Sequence, residues 1–233
     1  MRKYSYELEE INKLYLASFV SQVTGVKLDK IMDYIRELEN DDFLRSHIKK
    51  IILSSDLKWR ADSVTKYGRR LGWYAFARAI KPKVVIETGV DKGLGSCVLA
   101  SALLKNTEEG FSGFLYSTDI NPEAGILFQA PYTSAGKIIF GDSIESLKTI
   151  NEVIDVFIHD SNHSKEYEMR EYETIVNKLS DNALILSDNA RASSKLWEFA
   201  RNTGRDFLFF QENPKNHWYP GSGIGIAFKK QGN

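Results

Sequence analysis

The sequence predicts an α/β fold: a doubly wound, mostly parallel sheet with an antiparallel C-terminal edge hairpin and an N-terminal helical cap. Three observations predict it. Residues 1 to about 80 carry few glycines and no proline, and their apolar residues recur at helical spacing. From Lys83 onward, short β-branched runs alternate with segments that read as helices or turns, the pattern of βαβ units with strands buried on both faces. The last two apolar runs flank a loop with no helix between them, which pairs them antiparallel. The chain divides into a cap, residues 1–80, and a second unit, residues 81–233.

In the cap, "YELEEINKLYLASFVSQV", "KLDKIMDYIRELE" and "SVTKYGRRLGWYAFARAI" read as helices, the last stopping before Pro82 as helices do. The strands follow as "KVVIE", "FLYSTD", "KIIFGD", "VFIHD" and "ALILSD". "DFLFFQE" and "GIGIAFKK" form the closing hairpin around the loop "NPKNHWYPGS". In sheets wound this way, ligands collect at the carboxyl ends of the strands, so polar residues there point into one crevice.

The bulk properties exclude some functions. A hydrophobic fraction of 42% beside 27% charged residues suits a globule with a sizeable core. The 31 basic and 31 acidic residues cancel to zero net charge, which gives no electrostatic reason to expect nucleic acid or an anionic membrane as partner. The single cysteine, Cys97, excludes an internal disulfide and a cysteine-built zinc site, and reads as a buried helix residue. No run approaches the ~20 apolar residues of a membrane span, and "MRKYSYELEE" lacks the apolar core of a secretory signal. The expected location is cytoplasmic. The N-terminal helices offer a surface through which copies of the chain can associate.

The first strand runs into "VVIETGVDKGLGSCVLASALL". Glu87 ends the strand, glycines follow at 89, 93 and 95, and Ser96 opens the helix. Such a turn lets a ligand approach the backbone closely. The spacing G-x-x-x-G-x-G differs from that of dinucleotide binders, and Glu87 would repel a pyrophosphate. A ligand carrying an ammonium or sulfonium and no phosphate fits better, and S-adenosylmethionine is one. Asp119, closing the second strand, stands where an acid can accept both ribose hydroxyls, or it caps a following helix at Asn121-Pro122. Asp142, with Ser143 after the third strand, either accepts from an adenine amino group or caps "SIESLKTI".

Strands four and five both end in oxygen ligands: Asp160 in "IHDSNH", and Asp188 with Asn189 in "LSDNA". Adjacent strands lie ~4.8 Å apart, so these residues converge. Two carboxylates together repel unless one stays protonated or a cation joins them, and the all-oxygen set suits Mg²⁺. His163, three residues after Asp160, either removes a proton from a substrate hydroxyl or caps the next helix. His159 points to another face and reads as structural. Tyr67 or Arg70 stands near the cofactor by its place before the first strand, and His217, Trp218 and Tyr219 either cover the acceptor or pack the hairpin.

Taken in order, "ETGVDKG", "STDINPE", "GDS", "IHDSNH" and "LSDNA" resemble class I S-adenosylmethionine-dependent methyltransferases, with a Rossmann-like fold, over about residues 60 to 230. The closer likeness is to divalent-metal-dependent O-methyltransferases of the catechol and macrolide-sugar type. The resemblance implies that Glu87 and Gly89, with Gly93 and Ser96 in the same motif, hold the cofactor's methionine end, Asp119 the ribose, and Asp142 and Ser143 the adenine side. Asp160, Asp188 and Asn189 would bind the metal, and His163 would be the base. A histidine where the catechol enzymes carry lysine favours a sugar or other aliphatic hydroxyl as acceptor. Two other readings stand beside this one: a methyltransferase that needs no metal, and a non-catalytic module that binds the cofactor for regulation or assembly.

Overall fold

In the computed structural model, residues 6–56 and 64–230 are described. The cap becomes four helices, α1 (Glu10–Thr24), α2 (Leu28–Glu39), α3 (Asp42–Ser54) and α4 (Arg70–Ile80). The boundaries have local causes. Gly25 ends α1 in the left-handed region at φ 71°, with its N–H bonded to the Ser21 carbonyl. The Asp41 carboxylate accepts from the Leu44 N–H at 2.8 Å and starts α3. Helix α4 begins later than its apolar periodicity predicts. Gly68 sits at φ 53°, a backbone that cannot continue a helix, so Arg69 becomes the first flanking residue. Ser63, where that periodicity begins, lies outside the described residues.

From Lys83 the chain builds seven strands: β1 (Val84–Thr88), β2 (Phe114–Asp119), β3 (Gly136–Phe140), β4 (Ile154–His159), β5 (Leu179–Ser187), β6 (Asp206–Phe210) and β7 (Ile224–Phe228). Their order is β3-β2-β1-β4-β5-β7-β6, parallel through β5. The terminal hairpin is antiparallel, as the sequence predicts. β7 lies between β5 and β6, leaving β6 at the edge. Helices α5 (Leu94–Glu108), α6 (Ser143–Thr149), α7 (Lys165–Ile175) and α8 (Lys195–Asn202) cover the faces. No α-helix follows β2 among the described residues, so Asp119 caps none. Its carboxylate instead accepts from the Asn121 N–H at 2.8 Å and closes a turn.

Strand residues alternate between two apolar layers, as a two-residue period requires. Val85, Ile158 and Leu186 pack with the N-terminal helices and α5; Ile86, Phe157 and Ile185 pack with α6, α7 and α8. The four N-terminal helices therefore share one core with the sheet. Cys97 is fully buried in α5, as expected. No helix among the described residues is long and apolar enough to cross a membrane.

The winding direction reverses between β1 and β4, and there the strand ends nearly touch. Gly89, at φ 87°, could not be another residue, because a Cβ would lie 2.0 Å from the Asp160 carbonyl oxygen. The reversal opens the crevice that the strand-end residues line.

Candidate active site

The crevice is a cavity of about 890 Å³ at the carboxyl ends of the strands. Its size suits a nucleoside-sized ligand with room beside it. Glu87, Gly89, Asp119, Asp142, Ser143, Asp160, His163, Asp188 and Asn189 all line it. Gly93 and Ser96 do not, a correction to the sequence reading. Ser96 is fully buried behind Glu87 and donates to its Oε2 at 2.5 Å, so it holds the carboxylate and stays off the wall. Arg70 lines the cavity, whereas Tyr67 is buried away from it. Of the loop aromatics, Tyr219 reaches the wall and Trp218 remains half exposed.

On the glycine-loop side, Glu87 is 1% exposed and accepts from Ser96 and, at 2.8 Å, from Ser117. Gly95 makes room for it, since a Cβ there would lie 2.1 Å from Oε1. Burial pushes the Glu87 carboxyl from 4.5 up to about 7, against the opposing pull of the two hydroxyls. Because the folded value is the higher one, the native chain binds more protons than the unfolded chain between the two values. The stability this contributes is complete below about pH 4.5 and is lost as pH rises through about 7. Glu87→Gln keeps an acceptor for both serines and removes the charge. Urea unfolding is expected to find the two proteins alike near pH 4, and the variant more stable by roughly 1–3 kcal/mol near pH 8. The same variant should bind a cationic ligand more weakly.

Asp119 is already engaged with the loop itself. Its Oδ2 accepts from the Val90 and Asp91 N–H groups at 2.8 and 3.0 Å, which fixes the loop against β2. Asp142 caps α6 through the Glu145 N–H at 3.2 Å and accepts from the Tyr167 hydroxyl at 2.9 Å. Ser143 bonds to Tyr167 and to Glu171. For Asp142, the capping role found in the sequence is therefore realised, on the cavity wall.

On the opposite side, donor atoms of Asp160, His163 and Asp188 all lie within 4.8 Å of one another. His163 is 3.6 Å from Asp160 through Nε2, and its side chain is 44% exposed. Both amide hydrogens of Asn189 are taken, by Glu168 Oε2 at 2.9 Å and the His163 carbonyl at 3.0 Å. That leaves its carbonyl oxygen as the side chain's uncommitted polar atom. Between the two aspartates stands a residue the sequence reading missed, Arg69. Its Nη2 donates to Asp160 Oδ2 at 3.0 Å, and its Nε lies 2.7 Å from Asp188 Oδ1. The second contact is shorter but is not an aligned hydrogen bond, and both of its atoms lack any hydrogen-bond partner. The two acids diverge accordingly. Burial would raise Asp160, but the Arg69 guanidinium and His163 hold it well below the usual carboxylate range. Burial and the neighbouring Asp160 charge raise Asp188 far above it, with Arg69 pulling the other way. One guanidinium stands between two carboxyl groups, and the two are pushed in opposite directions.

Two buried glutamates of α7, also missed from the sequence, hold these strand ends. Glu171 accepts from Thr88 at 2.9 Å, His159 Nδ1 at 2.7 Å, Ser161 at 2.7 Å and Ser143. Glu168 accepts from Tyr172 at 2.7 Å, Ser187 at 3.1 Å and Asn189. His159 is fully buried in this network and has the structural role expected of it.

Residues 86–190 match the family described as "Methyltransferase domain". Among solved structures, the chain is similar to the S-adenosylhomocysteine-bound methyltransferase PaMTH1 of Podospora anserina. That match has 20% identity and a TM-score of 0.57, covering 87% of this chain and 95% of that one. It is also similar to the O-methyltransferase TomG of Streptomyces achromogenes, involved in tomaymycin synthesis and solved with S-adenosylmethionine. Here the identity is 16% and the TM-score 0.56, covering 82% of this chain and 91% of that one. A methyltransferase from Geobacter sulfurreducens matches at 17% identity and TM-score 0.56, covering 88% and 99%. No curated protein matches the sequence. The matched segment is thus a methyltransferase domain by similarity, and the fold around it is the Rossmann-like one of these structures.

Proposed function

We propose that the chain is a class I S-adenosylmethionine-dependent methyltransferase that transfers the cofactor's methyl group to a hydroxyl oxygen of a small molecule, a sugar or a secondary metabolite. One observation carries the reading: Asp160, His163 and Asp188 bring their donor atoms within 4.8 Å of one another, in the cavity that Glu87 and Gly89 line. A hydroxyl must lose a proton as it attacks the sulfonium methyl, and a base beside two carboxyl groups can take it. TomG, described as an O-methyltransferase, supports the reading by its likeness.

In this mechanism Glu87 neutralises the cofactor's ammonium and Gly89 lets the backbone approach it. Asp119 lies where the ribose hydroxyls would pass, with its loop contacts already made. The His163 imidazole, beside Asp160, accepts the acceptor's proton. Tyr219 closes the acceptor side. The residues also suit a divalent cation: two carboxylates and the uncommitted Asn189 carbonyl oxygen form a hard-oxygen set, and Asp188 Oδ1 is buried without a hydrogen bond. Asp160, Asp188 and Asn189 would hold that ion, which would lower the hydroxyl's pKa when bound. Asp160→Ala and Asp188→Ala are then expected to cost at least about 10²-fold in rate, and chelator to inhibit the wild type. Labelled methyl transfer measures both, and full activity of either variant in chelator would refute the metal-assisted form.

A second reading, the same transfer without metal, is favoured by the position of Arg69, which already places positive charge beside both acids. Turnover insensitive to chelator would select it.

A further inference from the structure

We propose that Arg69 is the built-in counter-ion of the Asp160–Asp188 pair, and that Arg69 and a divalent cation occupy it mutually exclusively. The inference rests on the metal-assisted reading above and concerns what that reading requires of the chain.

The argument is first one of space. A Mg²⁺ ion needs its oxygen ligands at about 2.1 Å, while guanidinium nitrogens already stand 3.0 and 2.7 Å from one oxygen of each acid. An ion between those oxygens would meet the guanidinium, and the two like charges would repel at short range in a buried setting. An ion held by those two oxygens leaves Arg69 no room where it stands.

The second argument is the quality of the existing contact. The Arg69 side chain is 10% exposed and the Asp188 side chain 5%, yet neither Nε nor Asp188 Oδ1 has a hydrogen-bond partner. Arg69 supplies charge without satisfying the acid. Such a contact keeps the two carboxylates together in the metal-free protein but leaves Asp188 open to a better-fitting cation.

Third, an alternative partner stands close by. Glu212, 2% exposed, accepts from the Tyr6 hydroxyl at 2.9 Å and the Gly223 N–H at 2.9 Å, and its charge acts on both Arg69 and Asp188. Arg69 also packs over the Trp73 ring at 5.4 Å, at the entrance to α4. A rotation of one side chain toward Glu212 would free the aspartates without moving a strand. Metal binding then carries the cost of that displacement, which sets a threshold concentration for the ion.

Calorimetric titration of Mg²⁺ and Mn²⁺ into wild type and Arg69→Gln tests this without any turnover. The variant is expected to bind metal on the order of ten- to a hundredfold more tightly than wild type. It should also lose thermal stability without metal and regain it when metal is added. Equal affinity in the two proteins overturns the exclusion while leaving metal assistance intact. Binding by neither overturns the metal-assisted reading and this inference with it, and cofactor binding measured in the same samples verifies that both proteins are folded. Should Arg69→Gln fail to fold, the wild type decides through the Arg69 Nε–H signal in NMR. Exclusion expects that signal to shift on saturation with Mg²⁺, and an unmoved signal at saturation overturns it.

Discussion

His163→Ala is expected to lower kcat by about 10²–10⁴-fold, the range for loss of a general base, with little change in KM. The variant separates catalysis from structure well because the imidazole does little else. It is half exposed, and its one charged contact is the 3.6 Å approach to Asp160. The hydrogen bond that ties this turn to Asn189 uses the His163 main-chain carbonyl, which alanine retains. Stability should therefore change by less than about 0.5 kcal/mol. Added imidazole should restore part of the rate. A capping role alone would predict the reverse: a measurable loss of stability, and a kcat near that of wild type.

Glu171→Ala is expected to give the largest loss of stability, roughly 3–5 kcal/mol. This carboxylate accepts four hydrogen bonds from groups on β1, β4, the Asp160–His163 turn and the start of α6. Removing it leaves those buried donors unpaired and loosens the ends of two strands at once. For a chain of this length the midpoint of thermal unfolding should fall by about 10 °C. Because Ser161 lies in the Asp160–His163 turn and Thr88 ends the neighbouring strand, activity should fall as well, measured below the new midpoint. Glu171→Gln should not rescue, since an amide offers one oxygen to donors that now use two. A variant as stable as wild type would mean that Glu171 does not organise these strand ends.

Much of the fold was legible because each strand carries its own signal. Val85-Ile86 and Val156-Phe157-Ile158 are apolar on both faces, and each run stops at a polar residue where the crevice begins. The convergence of Asp160 with Asp188 followed from strand adjacency alone. Arg69 was not legible. It lies 91 residues from Asp160, and only the packing of α4 against α5 and the sheet carries its side chain to the carboxyl ends of β4 and β5. Glu168 and Glu171 were hidden differently. In "KEYEMREYETI" they look like a solvated charged face, yet they share the i, i+3, i+4, i+7 stripe with Tyr172 and Ile175. Glutamates on the same stripe as the apolar residues were the signal available for a buried polar network. Ser96 was misplaced because spacing puts it beside the glycine loop and cannot tell the cavity wall from the layer behind it.

The central claim is that the strand ends of β1, β4 and β5 form one site for methyl transfer to oxygen. The most direct measurement supplies S-adenosylmethionine with an isotope-labelled methyl group, together with a panel of sugar and secondary-metabolite hydroxyls, and identifies the product bond by NMR. The account predicts a labelled methyl ether, formed by wild type and strongly reduced in His163→Ala. Transfer of the label to nitrogen or carbon, or equal transfer by wild type and His163→Ala, would contradict it.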